Sequence, residues 1–382
     1  MKILMVTPRF SPKSGGGGFV ATNTLCKELA KRGHKVEVWS SDYQLDEEFS
    51  DKEYSSNPFL FPFRTVATLM GFHFTPDMIE FSNALKGFDI IHIQGCRTFQ
   101  DTVVAYYARK YKIPYIVSAN GFPIAGMWTH RLACWTFDLL FSNNVIKGAS
   151  FCVAGSETGF KEYLRAGAEK SNIRIMPVPY DLSIFDDLPP KGNFRKTYKI
   201  GANKPVVGFL GGLDHNKGVD ILCQSFAKIA EEKAGILVVA GIDLGVREEL
   251  ENLVKKLGIE KRVIFTGYIN GREKLEYLVD CDVCVFPSRA ESGLPLAAVE
   301  ALMCGVPIIA NAGTGSMDDV RRMGCGMVSN PDMLHIHIQR MLSLKAFAKI
   351  CVEQGQKYIR QNRSVTESVK KYEKIYREAI ND

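Results

Sequence analysis

The sequence predicts an α/β fold with two domains, and two observations support the prediction. Short apolar runs alternate with amphipathic segments along all 382 residues, which is typical of chains whose parallel strands are joined by helices. Residues 186–204 interrupt this alternation with two prolines and two glycines, which indicates a linker. We therefore expect two Rossmann-like domains, residues 1–185 and 186–365, whose parallel sheets face each other across a cleft.

The first half contains five predicted strands, whose sequences are KILMVT, KVEVWSS, DIIHIQG, PYIVSANG and SFCVAGS. A helix is predicted over residues 21–32, because Gly33 is a residue type that commonly ends helices. The second half restarts with six predicted strands: PVVGFLGG, GILVVAG, RVIFTGY, CDVCVFPS, VPIIANA and CGMVSN. The last segment, residues 366–380, is helical by pattern, and no strand follows it.

Composition excludes several classes of function. The net charge of +6 is modest and no basic face is concentrated, so we do not expect nucleic-acid binding. The chain has no run of about 18 uncharged apolar residues, and its first apolar stretch is too short for a signal peptide, which predicts a cytosolic protein. Ten cysteines without framework spacing suit a reducing compartment. Cys281 and Cys284 follow a strand pattern, so we expect buried thiols rather than a metal or redox site.

The stretch from Pro287 to Ala310 predicts a ligand site. A buried strand over residues 283–286 ends at Pro287, and a helix is predicted over residues 297–304. Free backbone N–H groups at the start of that helix, at Gly293, Leu294 and Leu296, would suit a diphosphate. Glu300 lies one turn further, where a carboxylate could accept hydrogen bonds from ribose. The alternative is an ordinary loop followed by a solvated glutamate.

A glycine run at residues 15–18 follows the first predicted strand. Its backbone could approach a phosphate or a sugar closely, because glycine has no Cβ. A dinucleotide-binding turn, with Asp42 at the ribose, is a second interpretation, but the spaced GxGxxG pattern of such turns is missing. A mobile surface loop is the third.

Several motifs of the second half resemble those of one known family. PS at 287–288, GLP at 293–295, EA at 300–301 and CGVP at 304–307 follow the order of the signature of retaining glycosyltransferase family 4, which has the GT-B fold and belongs to the glycosyl transferases group 1. GGLDHNKG at 211–218 resembles the GRLxxxKG motif of this family. The resemblance implies that Lys217 contacts the donor diphosphate, that the backbone at Ile269 contacts the nucleobase, and that helix 366–382 packs back on the first domain.

The sequence departs from the family pattern at the two sugar-contacting positions. Glu291 and Glu300 enclose eight residues where the family has seven, so Ser292 stands at the regular position of the first glutamate. Asn120 stands where the family usually has a histidine. An amide does not titrate near neutral pH, which excludes a general acid or base role at this position. Two histidines are alternative polar contacts: His92 and His130.

A third departure concerns the diphosphate. Gly212 stands where the family has the arginine of the diphosphate clamp, so Lys217 remains as the main cation. Arg289 is a candidate replacement for the missing arginine. Asp280-Cys281-Asp282 could be taken for a DxD metal motif, but it begins a predicted strand, and we expect no metal or other cofactor.

The resemblance implies transfer of a hexose or N-acetylhexosamine from a nucleotide-diphosphate donor, with UDP favoured, to a saccharide or lipid-linked saccharide, with retention of configuration and in cell-surface polysaccharide synthesis. The predicted catalytic residues are Lys217, Glu291 and Asn120. The predicted donor-binding residues are Gly16, Gly17, Gly212, Lys217, Ile269, Ser292, Gly293, Leu294, Leu296 and Glu300. A nucleotide-sugar 2-epimerase of similar shape and a non-catalytic nucleotide-sugar-binding paralogue are the alternatives.

Two aromatic stretches suggest a membrane partner. Residues 57–76 contain five phenylalanines among few charges, and residues 122–141 contain Trp128 and Trp135. One interpretation is that both stretches pack inside the first domain or a dimer interface. The other is that they lie on an anionic bilayer, with Arg64, Arg131 and Lys147 facing the lipid, which would make the protein peripheral on the inner face of the cell membrane.

Overall fold

The computed structural model describes residues 1–12, 16–69, 72–119, 136–229 and 235–381. The chain divides into two compact units. Unit 1 consists of residues 1–181 and 362–382, and unit 2 consists of residues 182–361. Asn120 and His130 lie outside the described residues, as do Trp128, Arg131 and Trp135.

Unit 1 contains a seven-stranded sheet in which every neighbouring pair is parallel, with the order β3-β2-β1-β6-β7-β8-β9. A separate antiparallel hairpin consists of β4 and β5. The strands are β1 (Lys2–Arg9), β2 (Lys35–Ser41), β3 (Phe59–Phe63), β4 (Ala67–Leu69), β5 (Phe72–Phe74), β6 (Ile90–Ile93), β7 (Tyr115–Val117), β8 (Phe151–Ala154) and β9 (Ile173–Ile175).

Helices cover both faces of this sheet and bury its apolar side chains in two clusters. The described α-helices of unit 1 are α1 (Gly16–Lys31), α2 (Glu47–Glu53), α3 (Asp77–Glu80), α4 (Phe99–Tyr111), α5 (Asn143–Lys147), α6 (Glu157–Arg165) and, from the end of the chain, α15 (Val365–Asn381). One turn of π-helix, Asp138–Ser142, precedes α5. Helix α15 belongs to this core because Val369, Tyr372, Ile375 and Tyr376 pack in the same cluster as Ile3 and Met5 of β1.

Unit 2 contains a six-stranded parallel sheet with the order β12-β11-β10-β13-β14-β15. Its strands are β10 (Val206–Leu210), β11 (Ile236–Ala240), β12 (Val263–Gly267), β13 (Val283–Phe286), β14 (Ile308–Asn311) and β15 (Gly326–Ser329). Its described α-helices are α7 (Asn193–Thr197), α8 (Val219–Ala227), α9 (Arg247–Lys256), α10 (Gly271–Asp280), α11 (Leu296–Met303), α12 (Gly315–Met323), α13 (Leu334–Ser343) and α14 (Lys345–Asn362).

Both sheets reverse the direction of strand addition once. In unit 1 the reversal lies between β1 and β6, and in unit 2 it lies between β10 and β13. At such a switch point the loops that leave the carboxyl ends of two adjacent strands turn to opposite faces of the sheet. A crevice opens between them, and open α/β sheets bind ligands there. The fold therefore places one candidate crevice in each unit.

The structure confirms the predicted fold class and adds elements that the sequence pattern did not show. All six predicted strands of the second half are present, but β3, β4, β5 and β9 of unit 1 were not predicted. Helix α1 begins at Gly16 rather than at residue 21, and α11 begins at Leu296 rather than at residue 297. Within the described ranges, every helix is too short or too polar to cross a bilayer.

Candidate active site

Two loops leave the switch point of unit 2, and they are bonded to each other. One loop, residues 211–218, follows β10, and the other, residues 287–295, follows β13. The backbone N–H of Arg289 donates to the carbonyl of Asn216 at 2.7 Å, and the Arg289 guanidinium donates to the carbonyl of His215 at 2.6 Å. The motifs that the sequence predicted to share a site are thus neighbours in space, although 74 residues separate Lys217 from Glu291.

Local backbone chemistry fixes the position of Lys217. Asp214 accepts hydrogen bonds from the backbone N–H groups of Asn216 and Lys217, at 2.7 and 3.2 Å, and so closes a short turn. The next residue, Gly218, has φ +65°, and a Cβ there would lie 2.3 Å from the carbonyl oxygen of Pro287. Only glycine allows the loop after β10 to pack this closely against the end of β13.

Lys217 and Glu291 form an ion pair between these two loops. The Lys217 ammonium donates to Oε1 of Glu291 at 2.8 Å, and the two side chains are 29% and 14% exposed. The second oxygen, Oε2 of Glu291, is buried and accepts no hydrogen bond within the described part of the chain. A buried carboxylate oxygen without a donor is costly, which points to a hydroxyl-bearing ligand as its missing partner.

Arg289 does not supply a second unpaired cation. Its guanidinium donates to both oxygens of Asp220, at 2.9 and 2.6 Å. Partial burial raises the pKa of Asp220, but the hydrogen-bonded Arg289 more than offsets this effect and holds the pKa below its usual value. The pair therefore stays ionised. Arg289, the candidate replacement for the missing clamp arginine, is already neutralised by Asp220.

Gly212 lies where an arginine side chain would have little room. A Cβ at this position would lie 2.8 Å from Cδ1 of Leu244 and 3.9 Å from Cγ2 of Ile242. Both side chains come from the loop after β11, which is hydrogen-bonded to the loop after β10 through Leu213. Apolar atoms therefore border the space above Gly212. Lys217 is the cation that contacts the carboxylate of Glu291.

The Leu294 amide is not the unpaired donor that the sequence predicted. The backbone N–H of Leu294 donates to Oδ2 of Asp319 at 2.8 Å, so it is not available to a diphosphate. Asp319 lies inside α12, and Arg322 pairs with its other oxygen. The amides of Gly293 and Leu296, together with Ser292, remain predicted donor contacts at the start of α11.

Glu300 is buried rather than solvated. It is 6% exposed, and its Oε1 accepts from the ammonium of Lys274 at 2.6 Å. Lys274 lies in the first turn of α10, which begins two residues after Ile269. The predicted ribose contact and the predicted nucleobase contact therefore belong to two neighbouring elements, and Lys274, which the sequence did not single out, touches Glu300. The sequence feature that could have identified Lys274 is a lysine near a helix N-terminus, where a cation is disfavoured.

The predicted residues of unit 1 have two different environments. Gly16 and Gly17 are exposed in the first turn of the 16-residue helix α1, and Gly16 has φ +53°. His92 is fully buried on β6, where its Nδ1 bonds the Tyr376 hydroxyl at 2.8 Å and its Nε2 bonds the Ser118 hydroxyl at 2.7 Å. Burial lowers the pKa of His92 to about 3, so the ring is neutral and acts as a structural link to α15.

Asp280 and Asp282 bond the segment that leads into β10 and do not point into the crevice. Asp280 accepts from the backbone N–H groups of Gly192 and Arg195, at 2.6 and 3.0 Å. Asp282 accepts from the Arg195 guanidinium at 3.0 Å and from the Val206 N–H at 2.8 Å. The two carboxylates fix the segment that leads into β10.

Comparisons with known proteins identify the family and the fold. A model of Glycosyltransferase Family 4 matches residues 15–184, and a model of Glycosyl transferases group 1 matches residues 190–358. An uncharacterized glycosyltransferase of Methanocaldococcus jannaschii is 24% identical over 100% of this chain and 99% of its own length. The O-antigen biosynthesis glycosyltransferase WclY of Escherichia coli is 25% identical over 81% of this chain and 79% of its own length. The crystal structure of Anabaena HepE in complex with UDP-glucose superposes with a TM-score of 0.80, at 19% identity, over 97% of this chain and 98% of that chain.

Proposed function

Since this chain belongs to glycosyltransferase family 4 and has the GT-B fold, we propose that it transfers a hexose or N-acetylhexosamine from a UDP-sugar to a saccharide or lipid-linked saccharide. The transfer retains the anomeric configuration, needs no metal ion and serves the synthesis of a cell-surface polysaccharide. Anabaena HepE, which shares the fold, binds UDP-glucose, and WclY acts in O-antigen biosynthesis; these two relatives support the choice of donor and of pathway class.

The Lys217–Glu291 pair is the observation that carries the proposal. The two residues meet at the switch point of unit 2, where α/β sheets bind nucleotides. In the proposed complex, Lys217 donates to the diphosphate and stabilises the negative charge that develops as the sugar leaves. Glu291 accepts from sugar hydroxyls, which gives its buried Oε2 a donor. The eight-residue spacing to Glu300 then does not remove Glu291 from the site.

In the proposed complex, Lys217 exchanges one anionic partner for another and is never left as an unpaired charge. Before the donor binds, Lys217 is neutralised by Glu291, which limits the cost of keeping both charges partly away from water. The diphosphate replaces Glu291 as the partner of Lys217, and the released carboxylate oxygen becomes a second acceptor for the hexose. Donor phosphate and donor sugar are thus recognised together. A nucleoside diphosphate that lacks the sugar gives Glu291 no such compensation.

We also propose that unit 1 binds an anionic membrane surface, which would bring it to a lipid-linked acceptor. A group of large apolar side chains is exposed on elements next to α4, and we call it the α4 surface. Its members, with their exposed fractions, are Leu69 (72%), Phe74 (44%), Leu139 (57%), Leu140 (61%) and Phe141 (42%). Aromatic contacts join the parts: the Phe72 ring lies 5.3 Å from that of Phe137, and the Phe74 ring lies 4.5 Å from that of Phe99.

Charge supports a bilayer as the occupant of this surface. Exposed cations stand on α4, on α5 and on segments before and after the hairpin: Lys110, Lys147, Arg64 and Lys86. Rings and aliphatic chains at headgroup depth with cations beside them suit anionic lipid. Phe61 and Phe63 do not take part, because Phe63 is 1% exposed and both rings pack towards Trp39 in the core.

A donor panel tests the proposed function. Purified protein is incubated with radiolabelled UDP-, GDP- and ADP-hexoses, with and without saccharide acceptors, and the products are separated by chromatography. We expect sugar transfer or slow sugar release from a UDP-hexose, with the product anomer by NMR matching that of the donor. Recovery of an epimerised nucleotide-sugar would support the epimerase, and tight binding without turnover would support a non-catalytic paralogue. Either result overturns the proposal.

A further inference from the structure

A cavity of unit 2 lies between the first turns of α8 and α9, beside the turn that carries Lys217. Its volume is about 150 Å³. Three side chains that are at most 5% exposed form its apolar part: Val219, Val246 and Leu250. Three carboxylates form most of its polar part: Asp214, Asp220 and Glu249. Of the described residues that line this cavity, none is a predicted donor contact or catalytic residue, so the cavity is a separate feature of unit 2.

Backbone hydrogen bonds hold the walls of the cavity together. The N–H of Leu213 donates to the carbonyl of Ile242 at 2.8 Å, and the N–H of Leu244 donates to the carbonyl of Leu213 at 3.0 Å. These two bonds tie the loop after β10 to the loop that leads into α9. Protein interiors contain few voids larger than a water molecule, because closing such a space improves packing. A concave space with fixed walls and an apolar part is typical of a preformed binding site.

The polar groups of the cavity disfavour an anionic ligand. Helix N-termini commonly bind anions through free N–H groups, but the N–H groups beside this cavity are already bonded. At the start of α9, Asp243 accepts from the backbone N–H groups of residues 245, 246 and 247, at 2.8, 3.1 and 3.1 Å. In the turn before α8, Asp214 accepts from those of Asn216 and Lys217. An anion in the cavity would therefore meet carboxylates.

Two carboxylates of the lining can take a cationic partner. Arg289 neutralises Asp220, at 2.9 and 2.6 Å. In contrast, Asp214 and Glu249 form no ion pair with a lysine or arginine in the part of the chain that the structure describes, and Glu249 lies 3.9 Å from the His215 ring. Both hydrogen bonds that Asp214 accepts end at Oδ1, which leaves Oδ2 for a further donor.

A short aliphatic ammonium matches the size and the charge of this cavity. Liquid water takes about 30 Å³ per molecule, so a volume of about 150 Å³ holds about five non-hydrogen atoms. An ammonium has three N–H donors and no acceptor, which suits two carboxylates, and an alkyl chain suits the apolar part. A metal ion matches less well, because among the described residues no three His, Cys, Asp or Glu side chains are placed to hold one.

We propose that this cavity binds a small aliphatic amine in its protonated form, at a place separate from the nucleotide-sugar. The ammonium donates to Oδ2 of Asp214 and to the carboxylate of Glu249. The alkyl chain packs on Val219, Val246 and Leu250. The inference goes beyond the proposed function and does not depend on it, because neither donor nor acceptor takes part in amine binding.

Ligand-observed NMR with n-butylammonium chloride tests the inference. Saturation-transfer titrations of the wild-type protein should give saturable binding with a dissociation constant on the order of 1 mM, as for a ligand of about five heavy atoms. At the same ionic strength, n-butanol has the same chain without the charge and should bind at least about tenfold more weakly. Equal binding of the two compounds, or no saturable binding of n-butylammonium at about 10 mM, would show that the inference is wrong.

Matched variants locate the ammonium. Glu249 is 67% exposed, so Glu249→Gln should keep the melting temperature of the wild type while it weakens n-butylammonium binding about threefold. Adding Asp214→Asn, whose amide oxygen still accepts from the backbone of the turn, should weaken binding at least about tenfold. Glu248→Gln, in the same turn of α9 but outside the lining, is the matched control and should bind like the wild type.

A third variant distinguishes this cavity from the crevice. Glu291→Gln changes the carboxylate whose Oε2 lacks a donor in the described part of the chain, and it should leave n-butylammonium binding unchanged. If Glu291→Gln abolishes binding while the folded double variant of Asp214 and Glu249 retains it, the ammonium occupies the crevice and the inference is wrong. A folded double variant with wild-type affinity contradicts the inference in the same way.

Discussion

The two units share a strand arrangement around their switch points but differ in how the ion pair beside each switch point is satisfied. In unit 2 the crevice contains the ion pair of Lys217 and Glu291, which is only partly exposed. In unit 1, Gly16 and Gly17 lie in the first turn of α1, Arg97 in the loop after β6 donates to both carboxylate oxygens of Asp138, and burial lowers the pKa of His92 on β6 to about 3. The ion pair of unit 1 is thus satisfied at both carboxylate oxygens, whereas that of unit 2 leaves Oε2 of Glu291 without a donor in the part of the chain that the structure describes.

This difference indicates which type of ligand each unit suits. A crevice with a compensated cation and an unsatisfied carboxylate oxygen binds a ligand that brings both negative charge and hydroxyl donors, as a nucleotide-sugar does. Exposed glycines beside an ion pair that is already fully bonded suit a neutral, hydroxyl-rich molecule such as a saccharide acceptor. Changes that alter the charges of unit 2 should therefore affect donor chemistry, whereas changes in unit 1 should affect stability or acceptor delivery.

The largest effect is expected from Lys217→Ala. Removing a preorganised charge contact to a leaving group costs about 10²-fold in turnover, or about 3 kcal/mol. The same change leaves Glu291 partly buried and unpaired, so we also expect the free energy of unfolding to fall by about 2 kcal/mol. Donor hydrolysis and urea unfolding measure the two effects.

The double variant Lys217→Ala with Glu291→Gln separates catalysis from folding. It removes both charges, so stability should return towards the wild-type value while turnover stays low. Lys256→Ala, on α9, is the charge-matched control and should change neither quantity. A folded Lys217→Ala protein with wild-type kcat/KM would show that Lys217 does not stabilise the donor diphosphate. The proposed difference between the two units would then be wrong.

Unit 1 should show its own electrostatic effect in stability rather than in turnover. Asp101 of α4 is fully buried, and burial raises its pKa to about 6, against the opposing effect of hydrogen bonds with Thr98. Because the folded-state pKa lies above the unfolded value of 3.8, the stabilising contribution of the protonated form is present below about pH 4 and is lost as pH rises through about 6. The loss amounts to about 3 kcal/mol.

Asp101→Asn keeps the shape of the side chain and cannot ionise. We expect this variant to be more stable than the wild type at pH 7.5 and to approach it at pH 4.5, as measured by urea unfolding at both values. The difference between variant and wild type isolates Asp101 from His92, whose lowered pKa acts in the opposite direction as pH falls below about 6.5. An equal difference at both pH values would contradict the assignment.

Sequence reasoning predicted the fold class because strand and helix patterns are local. It also predicted that the loops after β10 and β13 share a site, since both carry motif residues at carboxyl ends of strands. It did not predict the partners of the charged groups: Asp319 on the Leu294 amide is 25 residues away, and Asp220 on Arg289 is 69 residues away. Such pairings depend on how helices pack, which no local pattern contains.

A smaller effect is expected from changing Glu291, which stands one residue before the regular family position. Glu291→Gln keeps the size of the side chain but weakens its acceptor, so we expect turnover to fall about 10- to 30-fold, as for loss of a charge-assisted hydrogen bond. Ser292→Ala changes the residue at the regular family position and should stay within about threefold. If the serine variant suffers the larger loss in donor hydrolysis, Ser292 rather than Glu291 contacts the hexose.

The smallest effect belongs to the α4 surface, where single contacts with a bilayer are weak. Leu140→Ser removes a side chain that is 61% exposed, and losing its burial in lipid should cost about 1 kcal/mol, or about fivefold in partitioning to anionic liposomes. Leu164→Ser, an exposed leucine of α6 outside the α4 surface, is the matched control and should partition like the wild type. Sedimentation with phosphatidylglycerol vesicles at low and high salt measures both, and the cations beside the surface require binding to weaken as salt rises. A protein that stays in the supernatant at low salt has no membrane partner of this kind, and the acceptor that we propose for unit 1 would then be a water-soluble saccharide.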